Sequence, residues 1–121
     1  PAPGSAAERL ALAVLTAALL ATACADALDP DRPLILDGAF VRDPLFAALV
    51  AALRPGRETR VNDDGSGVAQ GCALLCRADP RGPVALDLQS VVPAPLPGLA
   101  DHARAWHELA SATASPERKN P

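Results

Sequence analysis

The sequence predicts an α/β domain in the order helix, strand, helix, strand, helix, followed by a C-terminal arm. Three observations carry that prediction. The stretch Leu34 to Phe40, read LILDGAF, is a short apolar strand running into a glycine turn, with Asp43-Pro44 just beyond it. Helical stripes of apolar residues alternate with short extended runs, and Pro or Gly punctuates each change, as at Pro30, Pro33 and Pro55-Gly56. The chain has 121 residues and is 50% apolar, enough for one modest domain. Alternation of this kind implies βα units on a largely parallel sheet.

The first element is the run Leu10 to Cys24, which holds no charge. Ser5 is a good N-cap, and Glu8 three residues later completes a capping box. Leu10, Val14, Ala17 and Ala21 follow helical spacing, and Leu12, Leu15 and Leu19 widen the stripe. Two other readings compete with a buried amphipathic helix. A membrane span needs about 20 apolar residues, more than this run supplies. A signal segment, cleaved or lipid-anchored near Cys24, fits the length but not the flank, where Arg9 stands beside Glu8.

Leu34–Leu36 is short and wholly apolar, which suits a strand covered on both faces. Asp43 and Pro44 are good N-cap and first-turn residues. Leu45, Phe46, Leu49, Val50 and Leu53 then form a helical stripe that Pro55-Gly56 stops. Glu58 to Asn62 reads as a second strand, and Asn62 to Gly67 as a turn. Val68 to Cys76 reads as a third helix, ended by Asp79-Pro80 and Arg81-Gly82-Pro83. Val84 to Val92 is an extended segment, and Leu99 to Ala110 a last helix carrying Trp106. The tail 111–121 is polar and expected to fray.

Composition excludes some functions. Net charge is −3 with no basic run, so a nucleic-acid surface is not expected. Aromatics are scarce (two Phe, one Trp, no Tyr), so the core must be aliphatic and in need of a larger neighbour. The sequence lacks methionine and starts at Pro1, which suggests a piece of a longer chain. Three cysteines, an odd number, suit reduced thiols in a cytosolic protein. Cys72 and Cys76 share a helix face and are expected to be buried structural thiols. With His102 and His107 five residues apart, no zinc set is expected.

The acids and glycines of Asn62 to Gly71 fail as a calcium loop, because Arg60 and Gly71 would have to be ligands. Neither Ser66 nor Ser90 lies in a nucleophile elbow, so no catalytic set is expected within these residues. The turn Asp37-Gly38-Ala39 is the best candidate site. Glycine after a buried strand takes positive φ and lets a ligand approach the backbone, and the helix start at Asp43 favours an anion. An ordinary strand-to-helix turn has the same residues.

The order of segments is more specific than any one of them. The run 34–46 (LILDGAFVRDPLF), then Arg54-Pro55-Gly56, then 62–75 (NDDGSGVAQGCALL), resembles the C-terminal domain of the FGGY carbohydrate kinases. These are sugar kinases of the actin-like, ribonuclease H-like ATPase superfamily. The segment 97–107 is similar to the family's C-terminal arm, with His102 in the place of a frequent tyrosine. The resemblance divides the chain into an adenosine-side portion, 6–79, an arm, 80–110, and the tail, 111–121. It implies that Gly38 and Ala39 line an adenosine pocket, with Asp43 near the adenine or ribose. Gly71 would let the third helix pack closely on the nucleotide side of the sheet. Asp37 stands where the family's motif has its first glycine, and its side chain would narrow the pocket or contact ribose.

The implied activity is ATP-dependent phosphoryl transfer to a sugar hydroxyl with Mg²⁺ bridging the phosphates. The family's catalytic base and its Asp-x-Gly-Thr phosphate loop belong to an N-terminal half, and no Asp-x-Gly-Thr occurs here. The expected partners are therefore ATP, the sugar and that N-terminal half, with a homodimer left open and no membrane involved. The implied compartment is cytoplasmic. A secreted or lipid-anchored protein, or a catalytically dead binding module, is the alternative.

Overall fold

The computed structural model describes residues 3–63, 66–76 and 86–114. The first helix, α1, spans Ala6–Leu28. Its start is fixed as the sequence predicts. The Glu8 amide donates to Ser5 Oγ at 3.1 Å, and the Ser5 and Gly4 amides donate to Glu8 Oε2 at 3.0 and 2.7 Å. Those two backbone donors, Ser5 first and then Gly4, hold the Glu8 carboxyl below the usual carboxylate range.

Only one face of α1 is covered. Val14, Ala18, Leu19 and Thr22 are buried, while Leu10, Leu12 and Leu20 stay exposed. With 23 residues, α1 is long and apolar enough to cross a membrane by length and composition alone. Core helices and signal segments meet the same criterion.

The first strand, β1, is Leu34–Leu36, and the next helix, α2, is Pro44–Leu53. The second strand, β2, is Thr59–Asn62, followed by helix α3 at Gly67–Leu75. The third strand, β3, is Leu88–Ser90, and the last helix, α4, is Leu99–Ala114. The last helix therefore extends four residues beyond the expected end at Ala110, into the segment expected to fray. The expected turn at 79–83 lies outside the described residues.

The three strands form one sheet in the order β1-β2-β3. β1 and β2 are parallel, with Leu34 beside Thr59 and Leu36 beside Val61. β3 runs antiparallel to β2, with Asn62 beside Leu88. The expectation of a largely parallel sheet thus holds for one pair and fails for the other. β3 closes the sheet on the β2 edge instead of extending the parallel pair.

Period-2 alternation then sorts the sheet faces. Leu34 and Leu36 turn toward the helices, while Ile35 is 49% exposed on the other face. Coverage of β1 on both faces is therefore corrected to coverage on one.

The core lies between α1, α2 and that covered sheet face. Val14 and Ala18 meet Phe46, Leu49 and Val50, with Leu34, Leu36 and Leu99 against the cluster. Leu45, expected in the α2 stripe, is 45% exposed instead. Phe40 is exposed, but its ring tilts over Phe46 with centroids 5.3 Å apart.

One buried charge ties these layers together. Arg54, at the C-cap of α2, is 1% exposed. Its Nε donates to Asp26 Oδ1 on α1 at 2.9 Å, and its Nη2 donates to the carbonyls of Pro30 and Arg32. The guanidinium thus fixes the loop that feeds β1.

Candidate functional site

The carboxyl ends of the parallel pair β1 and β2 lie on one edge of the sheet, beside the starts of α2 and α3. In open α/β sheets this edge is where ligands bind. The β1 chain leaves the sheet at Asp37 and turns at Gly38, whose φ of 99° and ψ of −165° are open essentially to glycine alone. A 3-10 helix, Ala39–Arg42, follows at once.

Asp37 Oδ1 accepts from the Gly38 amide at 2.6 Å. At the far end of the turn, Asp43 Oδ1 accepts from the Leu45 amide at 2.9 Å and caps α2, with Pro44 in the first turn. The sequence-predicted residues Asp37, Gly38, Ala39 and Asp43 therefore share one connected turn.

Gly71 does not join them. It sits in the second turn of α3, and a Cβ there would meet nothing within 4 Å. The expected close packing occurs instead at Gly67, one helical turn earlier. A Cβ on Gly67 would collide with the Asp37 carboxylate and would lie 3.4 Å from Asn62 Nδ2. The expectation that Gly71 is the tight glycine is corrected accordingly.

Gly67 and Asn62 are the site residues that sequence reasoning missed. Asn62 looked like turn composition because two acids and a glycine follow it. The signal that locates it is register. Leu36 pairs with Val61 at the end of the ladder, Asp37 and Asn62 come next in their chains, and both side chains reach Gly67.

Two of the cavities among the described residues are lined by α2. One, of about 370 Å³, lies against the start of α2 between Val41, Pro44, Ala47 and Val61, with Asp63, Gln89 and Ser90 on its polar side. The other, of about 380 Å³, is an apolar groove between Ala11 and Leu15 of α1, Leu45 and Leu49 of α2, and Leu96 to Leu99 with His102. None of the sequence-predicted residues lines either cavity, although Val41 and Pro44 flank Asp43.

Cys72 and Cys76 are exposed, as is Cys24, so the expectation of buried thiols is corrected. Cys72 lies in α3 and Cys76 is its C-cap. Among the described residues no three His, Cys, Asp or Glu side chains stand close enough to hold a metal ion.

A parallel strand pair with a glycine turn and a capped helix at its carboxyl edge belongs to the α/β class. The family model for the C-terminal domain of carbohydrate kinase FGGY matches residues 1–84. The chain belongs to this family of carbohydrate kinases, whose C-terminal domain has the actin-like ATPase fold. No curated protein and no solved structure matches the chain.

Proposed function

We propose that this chain is the adenosine-side portion of an ATP-dependent sugar kinase that transfers the γ-phosphoryl group to a carbohydrate hydroxyl. The observation that carries the reading is the Gly38 turn. Its backbone conformation admits only glycine, and a Cβ there would meet nothing within 4 Å. The positive φ accounts for the glycine, and the open space beside it leaves the backbone at the carboxyl edge of β1 accessible to a ligand.

The residues present fit a nucleotide. Gly38 and Ala39 would lie against the adenosine, and Asp37 and Asp43 would flank it. When bound, the triphosphate supplies the phosphoryl group, and Mg²⁺ would arrive with its phosphates. This chain orients the base and sugar end of the nucleotide. The catalytic base and the Asp-x-Gly-Thr loop come from an N-terminal half, and the intact kinase works in the cytoplasm. Residues 6–79 form the adenosine-side unit, 80–110 the arm and 111–121 a tail.

Calorimetry on the intact gene product tests the reading. ATP and ADP should bind, and sugar-dependent ADP release should appear with at least one member of a sugar panel. An intact protein that bound no adenine nucleotide, or an upstream reading frame without an Asp-x-Gly-Thr turn, would overturn it.

A further inference from the structure

Asn62 carries an amide that the fold leaves idle. Its side chain is 1% exposed, and neither Nδ2 nor Oδ1 has a hydrogen-bond partner. A buried amide with donor and acceptor both unused is costly and calls for an explanation. Position supplies one. Asn62 and Asp37 follow the last rung of the parallel pair, Leu36 beside Val61, and both side chains converge on Gly67 at the start of α3.

The chemistry of that corner is selective. The Asp37 carboxylate lies against Gly67 in the first turn of α3, where the positive end of the helix favours an anion. A carboxylate already in place repels phosphate and accepts hydrogen bonds without donating any. The ligand group that suits it carries neutral donors, and a vicinal diol presents two. Two sources of a diol are at hand in a sugar kinase, the nucleotide ribose and the sugar substrate.

We propose that Asp37 reads the ribose diol of the nucleotide and that Asn62 is its positioning residue. When the diol binds, Asn62 Nδ2 donates to the Asp37 carboxylate from below while the hydroxyls donate from the solvent side. Gly67 is bare because any side chain there would displace the carboxylate. The proposal rests on the nucleotide reading of the turn.

The test compares ATP with 2′-deoxy-ATP by calorimetry on the intact kinase, with sugar affinity measured alongside. The wild type should bind ATP about tenfold or more tighter than the deoxy nucleotide, the scale of a hydrogen bond to a charged group. Asp37→Ala should bring that ratio close to one and leave sugar affinity unchanged. Asn62→Leu should reduce the ratio without abolishing binding, and Asn62→Gln should restore part of it. If Asn62→Leu does not fold, Asn62→Ser carries the same comparison.

A merely structural Asn62 would change stability and leave the ratio intact, which would overturn the positioning role. A ratio near one in the wild type, or an Asp37→Ala effect on the sugar in place of the nucleotide, would overturn the assignment to ribose while leaving the nucleotide site standing. Failure of the wild type to bind either nucleotide would remove both.

Discussion

Replacing Asp26 with alanine should cost more stability than replacing its partner Arg54 with methionine. The two ends of the ion pair differ in burial: the Arg54 side chain is 1% exposed and that of Asp26 is 36% exposed. Arg54→Met leaves a carboxylate that recovers water, and removes the orphaned Nη1 as well. What remains is the loss of Nε to Asp26 and of Nη2 to the Pro30 and Arg32 carbonyls. At about 1 kcal/mol net for each bond, less the packing that methionine restores, the cost is about 2 kcal/mol. Asp26→Ala instead leaves a guanidinium out of water with Nε and Nη1 both unpaired. Stranding a buried charge in this way costs about 3–5 kcal/mol.

Urea unfolding followed by circular dichroism measures both, with an unchanged m-value as the check on two-state comparison. In the Arg54→Met background, Asp26→Ala should be close to neutral. The gap between the single variants should survive 1 M salt, since Arg54 is shielded from solvent. Equal costs for the two variants, or a larger cost for Arg54→Met, would refute the reasoning.

Three further outcomes follow from the structure. Gly67→Ala should push the exposed Asp37 carboxylate aside and change stability by no more than about 1 kcal/mol, and in an Asp37→Ala background it should be neutral or stabilising by up to about 1 kcal/mol, read by the same urea titration. The Glu8 carboxyl is held below its usual range, so its contribution is present above about pH 4.3 and is lost as pH falls through the lowered value. The Gly4 and Ser5 amide resonances should shift over that acid range, and Glu8→Gln should abolish the shift. All three cysteines should react with a thiol reagent in the native protein, and fewer than three rapid equivalents would contradict their exposure.

Much of the fold was legible because local rules acted alone. Ser5 with Glu8, and Asp43 with Pro44, fixed the starts of α1 and α2 through contacts a few residues apart. Gly38 was readable because its turn needs a conformation that only glycine takes easily. Burial was less legible. A strand of three apolar residues has the same composition whether one face or two are covered, and Ile35 shows that here it is one. Cys72 and Cys76 were expected to be buried, but periodicity does not say which residues of a helix are covered, and both are exposed. Arg54 looked like a surface charge ahead of a Pro-Gly stop, and only the return of α1 alongside α2 supplied Asp26. Gly67 and Asn62 were hidden because the Asp37 side chain that meets them at the start of α3 is distant in sequence, beyond the end of β1.

The segment after β3 sets how much chain the domain needs to stand. The Val91 amide donates to the Thr59 carbonyl and the Ala94 amide to the Ala48 carbonyl, so this stretch crosses over α2. It delivers Leu99 to the cluster around Phe46 and Leu49. The family match stops at residue 84, before any of these ties. A protein cut at the family boundary would lose β3, the strap over α2 and one wall of the apolar groove together. The packed unit therefore outruns the matched segment, with Val91, Ala94 and Leu99 tied into it.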